Sequence, residues 1–200
     1  MTRAVAGSAV PASGFDDAGL VVRARSGDRE AREELARRCR GPAYALALQL
    51  LGDPEDALDA AQDSLIRLFE SFGRFDPSRP LRPWLARIVR NRALDIRRRR
   101  RARPTISLDA LLDEGHAEAP AAAAGPEERA ADRELQRRIW RALQETSPAH
   151  REILVLRDYQ DLSYQEIAAV LAIPVGTVMS RLHAARRSLR RALEGGEHHA

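Results

Sequence analysis

The chain contains no lysine: all 33 of its basic residues are arginines. So complete an absence fits a codon bias toward arginine, although guanidinium forks also suit phosphates and guanine edges. There is one cysteine, Cys39, in 200 residues. A lone cysteine excludes an internal disulfide and a cysteine-rich zinc cluster; within ELARRCRGPAY it reads as a small buried or half-buried side chain. No apolar run approaches the ~18 residues of a membrane-spanning helix, so no membrane insertion is expected. The opening MTRAVAGSAVPASG is too weakly apolar for a signal peptide, which leaves a cytoplasmic chain as the expectation. Cys–His pairings, metal-spaced clusters and glycine-rich phosphate loops are missing too, so no catalytic residue, metal or cofactor is expected. The paired His198 and His199 read as a solvated end.

What is present is helical patterning. No stretch of alternating β-branched residues argues for a sheet, and the expected fold is all-α, with two small helical domains joined by a flexible linker. The first domain spans 16–103, after a loose tail at 1–15. It is punctuated at Ser26-Gly27, Gly41-Pro42, Gly52-Asp53-Pro54 and Asp76-Pro77. The linker covers 104–126, helical spacing resumes over 127–194, and 195–200 frays away. The net charge is only +4, so the location of charge says more than its total.

In LSYQEIAAVLAIPVGTV, Ser163 and Glu166 fit the S-x-x-E capping box and predict a helix from Tyr164. Its apolar residues Ile167, Ala168, Val170 and Leu171 recur at helical spacing. Pro174 cannot continue that helix, and Gly176 gives a permissive backbone near the next start. Ala172 stands where many such turns use glycine. In the run that follows, Val178, Leu182, Ala185, Leu189, Ala192 and Leu193 share one apolar stripe. Ser180, His183, Arg187, Arg190 and Arg191 take the opposite side, with Thr177 at the entrance. Helix, short turn and second helix are the parts of a helix-turn-helix, whose second helix enters the major groove of DNA.

The first domain carries two opposed electrostatic surfaces. In PEDALDAAQDSLIRLFESF, Leu58, Ala61, Leu65, Leu68, Phe69 and Phe72 are expected to form the core stripe. Asp56, Asp59, Asp63 and Glu70 fall together on another side with only Arg67 nearby, which suits a basic partner. Farther on, LRPWLARIVRNRALDIRRRRRAR has ten arginines against one acid, Asp95. Leu81, Trp84, Leu85, Ile88 and Val89 supply its core stripe, Arg87 and Arg90 point away, and Asn91 is expected to cap a following basic helix. Such a run repels itself unless a polyanion relieves it. Trp84 has a ring suited to stacking on melted bases, but its place on the apolar stripe favours core packing.

These two stretches resemble a known family. GDPEDALDAAQDSLIRLFESFGRFDPSRPLRPWLARIVRNRALDIRRRRR resembles the second region of bacterial sigma factors. SPAHREILVLRDYQDLSYQEIAAVLAIPVGTVMSRLHAARRSLRRAL resembles the fourth, and the short tether is similar to that of the extracytoplasmic-function (ECF) group of the sigma-70 family. The resemblance covers 19–193. It implies a transcription initiation factor that binds core RNA polymerase, through the β′ clamp helices and the β flap, and promoter DNA. It also implies an anti-sigma partner. Asp59, Gln62 and Asp63 match the acidic-Gln-acidic pattern of the clamp-binding helix, with Asp56 beside them; Leu58 and Ala60 depart from the family, which usually has Glu and a large apolar residue there. PWLARIVRN matches the segment that opens the promoter and reads the −10 element. There Asn91 would lie beside a flipped-out base, with Arg87, Arg90, Arg92, Arg97 and Arg98 toward the DNA. Thr177, Ser180, Arg181 and His183 would meet −35 base edges, and Arg186, Arg187, Arg190 and Arg191 the backbone. The family is often basic where this chain has Met179 and Ala184, so no relative's −35 preference carries over.

Two other classes explain less. A conventional helix-turn-helix repressor would account for 163–191, but such proteins usually dimerise and need no acidic clamp-binding face. A metal enzyme would have to use the carboxylates of the Asp56 helix alone.

Overall fold

The structure, a computed structural model, describes residues 17–102 and 126–195. The tail at 1–15, most of the linker, and His198 and His199 lie outside the described residues. Among the described residues there is no strand. The first module comprises α1 (Asp17–Arg25), α2 (Arg29–Leu51), α3 (Pro54–Ser71) and α4 (Leu81–Ala102), with a 3-10 turn at Phe72–Arg74. The second comprises α5 (Pro126–Glu145), α6 (Pro148–Leu154), a π-helical turn at Val155–Tyr159, α7 (Tyr164–Leu171) and α8 (Val175–Gly195).

Local chemistry sets most of these boundaries. Asp28 opens α2 by accepting from the Ala31 amide at 3.1 Å, and Asp53 opens α3 by accepting from the Asp56 amide at 2.9 Å. Each such cap contributes about 1 kcal/mol. Between them Gly52 ends α2 in the left-handed region, at φ 78°, where a residue without Cβ is under no strain. Two expected breaks are absent. Gly41-Pro42 does not interrupt α2, which carries Pro42 inside it at the loss of one backbone hydrogen bond. Asn91 caps nothing: it lies in the middle of α4, which continues unbroken to Ala102.

The buried face of α3 also differs from the expected stripe. Ala57, Ala60, Ala61, Ser64 and Leu68 are its buried residues, whereas Leu58 is 50% exposed. The cause is close packing: α3 lies against both α2 and α4, and small side chains let helices approach. Ser64 remains satisfied in this interface by donating to the Ala60 carbonyl at 2.5 Å. On α4, Leu81, Leu85, Ala86, Val89, Ala93 and Ile96 are buried. Trp84 is half-buried, with its ring stacked on Phe75 at 4.4 Å. Cys39 is buried.

The second module closes over Leu143, Ile153, Leu154, Leu156, Leu162, Ile167, Val178 and Leu182. The two modules touch, α4 against α7 and α2 against α6, and one apolar core runs through both. Among the described residues, no single helix is long and apolar enough to cross a membrane.

Candidate nucleic-acid interface

The capping box at the start of α7 is present in full. The Glu166 amide donates to Ser163 Oγ at 3.2 Å, and the Ser163 amide donates to Glu166 Oε2 at 2.7 Å. At its other end Ala172 takes the left-handed conformation, φ 54° and ψ 47°, and its amide donates to the Ala168 carbonyl. The chain then turns so that α7 and α8 meet at 98°. Val178, Leu182 and Ala185 hold α8 in the core.

This seating exposes the opposite side of α8. Ser180, His183, Arg187, Arg190 and Arg191 are all exposed, as the periodicity predicts. None of these three arginines forms an ion pair with a described residue. Thr177 and Arg181 are half-buried on the flank. Arg186 leans back to Asp158, to which it donates at 2.8 Å. Met179, which the pattern left unassigned, is 55% exposed, and Val175 one turn earlier is 37% exposed.

The other arginine-rich helix is arranged differently. Arg87 is exposed on α4, but Arg90 donates from Nε to Glu152 Oε1 of α6 at 2.5 Å. Arg90 also donates to Asn91 Oδ1 at 3.2 Å. Arg92 forms an ion pair with Asp63 of α3 while its own side chain is only 11% exposed. Arg98 lies 3.6 Å from Asp95. Arg97 is half-buried; burial, with Arg101 nearby, lowers its pKa from the ordinary arginine value. Arg100, which no motif singled out, bridges Asp53 at 2.8 Å and Asp56 at 2.5 Å.

The acidic and basic surfaces are therefore not independent, contrary to the sequence reading. Arg92 and Arg100 staple α4 to α3 through Asp63, Asp53 and Asp56. Burial raises the Asp56 pKa above the usual carboxylate value, and Arg100 only partly offsets this. Burial would raise Asp53 as well, but the Arg100 guanidinium and the Asp56 amide hold it below the ordinary value. What α3 leaves open is a mixed face: Asp59 and Gln62 are exposed, beside Leu58 at 50% and Ile66 at 57% exposure. Asp59 forms no ion pair with a described residue. Nor does any group of three or more His, Cys, Asp or Glu among the described residues come together in a way that could hold a metal.

Comparison with known proteins gives this arrangement a family. Residues 35–103 match the family model for Sigma-70 region 2, and residues 136–189 match that for Sigma-70, region 4. The chain is 37% identical over 175 residues to the ECF RNA polymerase sigma factor SigE of Mycolicibacterium smegmatis, covering 86% of this chain and 66% of that one. It is 32% identical over 178 residues to the ECF RNA polymerase sigma factor SigW of Bacillus subtilis, covering 86% of this chain and 94% of the relative. The chain is an ECF sigma factor of the sigma-70 family. Its first module is region 2 and its second is region 4. Among solved structures, the sigma factor is similar to RpoE in complex with the anti-sigma factor NepR from Bartonella quintana. The TM-score is 0.61 and the identity 25%, over 81% of this chain and 96% of the other. As a sigma factor, the protein serves transcription initiation.

Proposed function

We propose that this sigma factor binds core RNA polymerase in the cytoplasm and directs it to promoters by reading two DNA elements, without chemistry of its own. Domain limits of 16–103, 104–126 and 127–194 divide that work. Region 2 meets the β′ clamp helices through Asp59 and Gln62 on the open face of α3, with Asp63 beside them held by Arg92 and Asp56 held behind by Arg100. It meets the −10 element through α4, with Asn91 and Arg87 toward the bases and Arg97 and Arg98 toward phosphates, while Arg90 and Arg92, engaged by Glu152 and Asp63, hold the helix in place. Region 4 reads the −35 element with Thr177, Ser180, Arg181 and His183, and holds the backbone with Arg186, Arg187, Arg190 and Arg191. It also contacts the β flap. An anti-sigma factor masks both regions; RpoE, similar in structure, is itself in complex with an anti-sigma factor, NepR.

The observation that carries this reading is the exposed face of α8. Unpaired arginines on a helix seated by its apolar side leave counterion-releasing charge where DNA would lie, and Ser180 and His183 stand nearer the helix start, where base edges are met. In vitro transcription with core polymerase on a genomic fragment library tests it. Discrete start sites sharing two upstream elements are expected. Failure to co-elute with core, with no new start sites, would overturn the proposal.

A further inference from the structure

We propose that Met179 selects thymine within the −35 element by packing its thioether chain on the C5-methyl group. This rests on the reading of α8 as the −35 helix. Met179 is 55% exposed and Val175 is 37% exposed, both within the first turns of α8. Farther along, the exposed side chains are Ser180, His183, Arg186, Arg187, Arg190, Arg191 and Glu194. The two open apolar side chains are thus confined to the part of the helix that a recognition helix points at base edges, while the arginines follow where phosphates come into reach. Met179 and His183 are four residues apart and neighbours on the helix surface. On the major-groove edges of the bases, the thymine methyl is the apolar feature a side chain meets. An unbranched methionine adapts readily to such a contact.

The test uses holoenzyme, assembled from core and the full chain, and a promoter selected by the transcription assay. Each −35 thymine is replaced in turn by deoxyuridine, which deletes only the methyl. With the natural chain, one or two of these replacements should weaken binding about three- to fivefold, the scale of one buried methyl group. With Met179→Ala that penalty should vanish, and the exposed position leaves the fold intact. Sequence-specific binding that is indifferent to deoxyuridine, or a penalty that persists in Met179→Ala, would overturn the Met179 assignment alone. Equal binding to a scrambled −35 duplex would overturn the reading of α8 as well.

Discussion

The arginines of α4 and α8 show how one residue type on one kind of element serves two ends. On α4, Arg90, Arg92 and Arg100 are each engaged by a carboxylate from another helix, Glu152, Asp63, and Asp53 with Asp56. On α8, among the described residues, only Arg186 has such a partner, Asp158. An arginine held by a carboxylate positions helices and has little field left for a distant polyanion. An unpaired, exposed one contributes its whole charge to the surface potential and to counterion release. The density of arginine in a stretch therefore says little about DNA affinity until the acids facing it are known.

The largest expected effect lies on α3, where two neighbouring acids have different surroundings. Asp59→Arg should weaken association with core polymerase by well over tenfold, since opposed charges at an interface become like ones, yet leave stability almost unchanged. Asp63→Asn should do the reverse in part, lowering thermal stability because Arg92, 11% exposed, loses its carboxylate. Gel filtration with core and thermal melts separate the two. Normal co-elution of Asp59→Arg would remove this face from the polymerase interface.

A smaller effect is expected on α8. Substituting His183 by Ala should change which −35 sequences are preferred, by about 1–3 kcal/mol at the best site. Arg187→Ala and Arg191→Ala should weaken all sequences about equally and lower the salt slope by roughly one unit per lost contact. Holoenzyme binding to a randomised −35 library at several salt concentrations reads both. An unchanged salt slope in the arginine variants would erase the contrast with α4.

These contrasts mark how far the sequence alone reaches. The capping box at Ser163 and Glu166 and the outward face of α8 were legible because they depend on neighbours three or four residues away. The α3 core was not, because a search for large apolar residues passes over Ala57, Ala60 and Ser64, whose small size is what brings the helices together. Arg90 with Glu152, 62 residues apart in sequence, and Arg100 with Asp53 depend on how separate helices dock, which no local pattern encodes. Asn91 was misplaced at a helix start because a side chain suited to capping can equally stand mid-helix when packing on both sides carries the helix through.

The α3–α4 staple also gives a pH dependence of more modest size. Asp53 has a folded pKa below its ordinary value, so its contribution is present above about pH 4 and is lost as pH falls through the folded value. Asp56 has a raised folded pKa and opposes this trend, its ionisation costing stability as pH rises through that value. Asp53→Ala, which removes the α3 cap as well as the Arg100 contact, should cost about 1 kcal/mol at neutral pH. The cost should shrink in acid. Urea melts of the full chain at pH 7 and pH 3.5 check this, and an equal cost at both would show that the cap's charge is irrelevant.

The smallest effect concerns the joint that aims α8. Ala172 has φ 54° and ψ 47°, a conformation that costs an L-residue with a Cβ roughly 1–2 kcal/mol. Asp161, also at positive φ, 49°, is a residue type that tolerates this region better. Ala172→Gly relieves the strain but gives the unfolded chain more freedom, a loss of about 0.4–1 kcal/mol. The balance should be a gain of between zero and about 1.5 kcal/mol, visible as a higher urea midpoint at constant slope. The −35 salt slope and base preference should not move, because Val178, Leu182 and Ala185 seat α8 in the core whatever the turn does. A stabilised variant with altered −35 preference would show instead that the strained alanine, rather than the packing of α8, sets how the unpaired arginines are aimed.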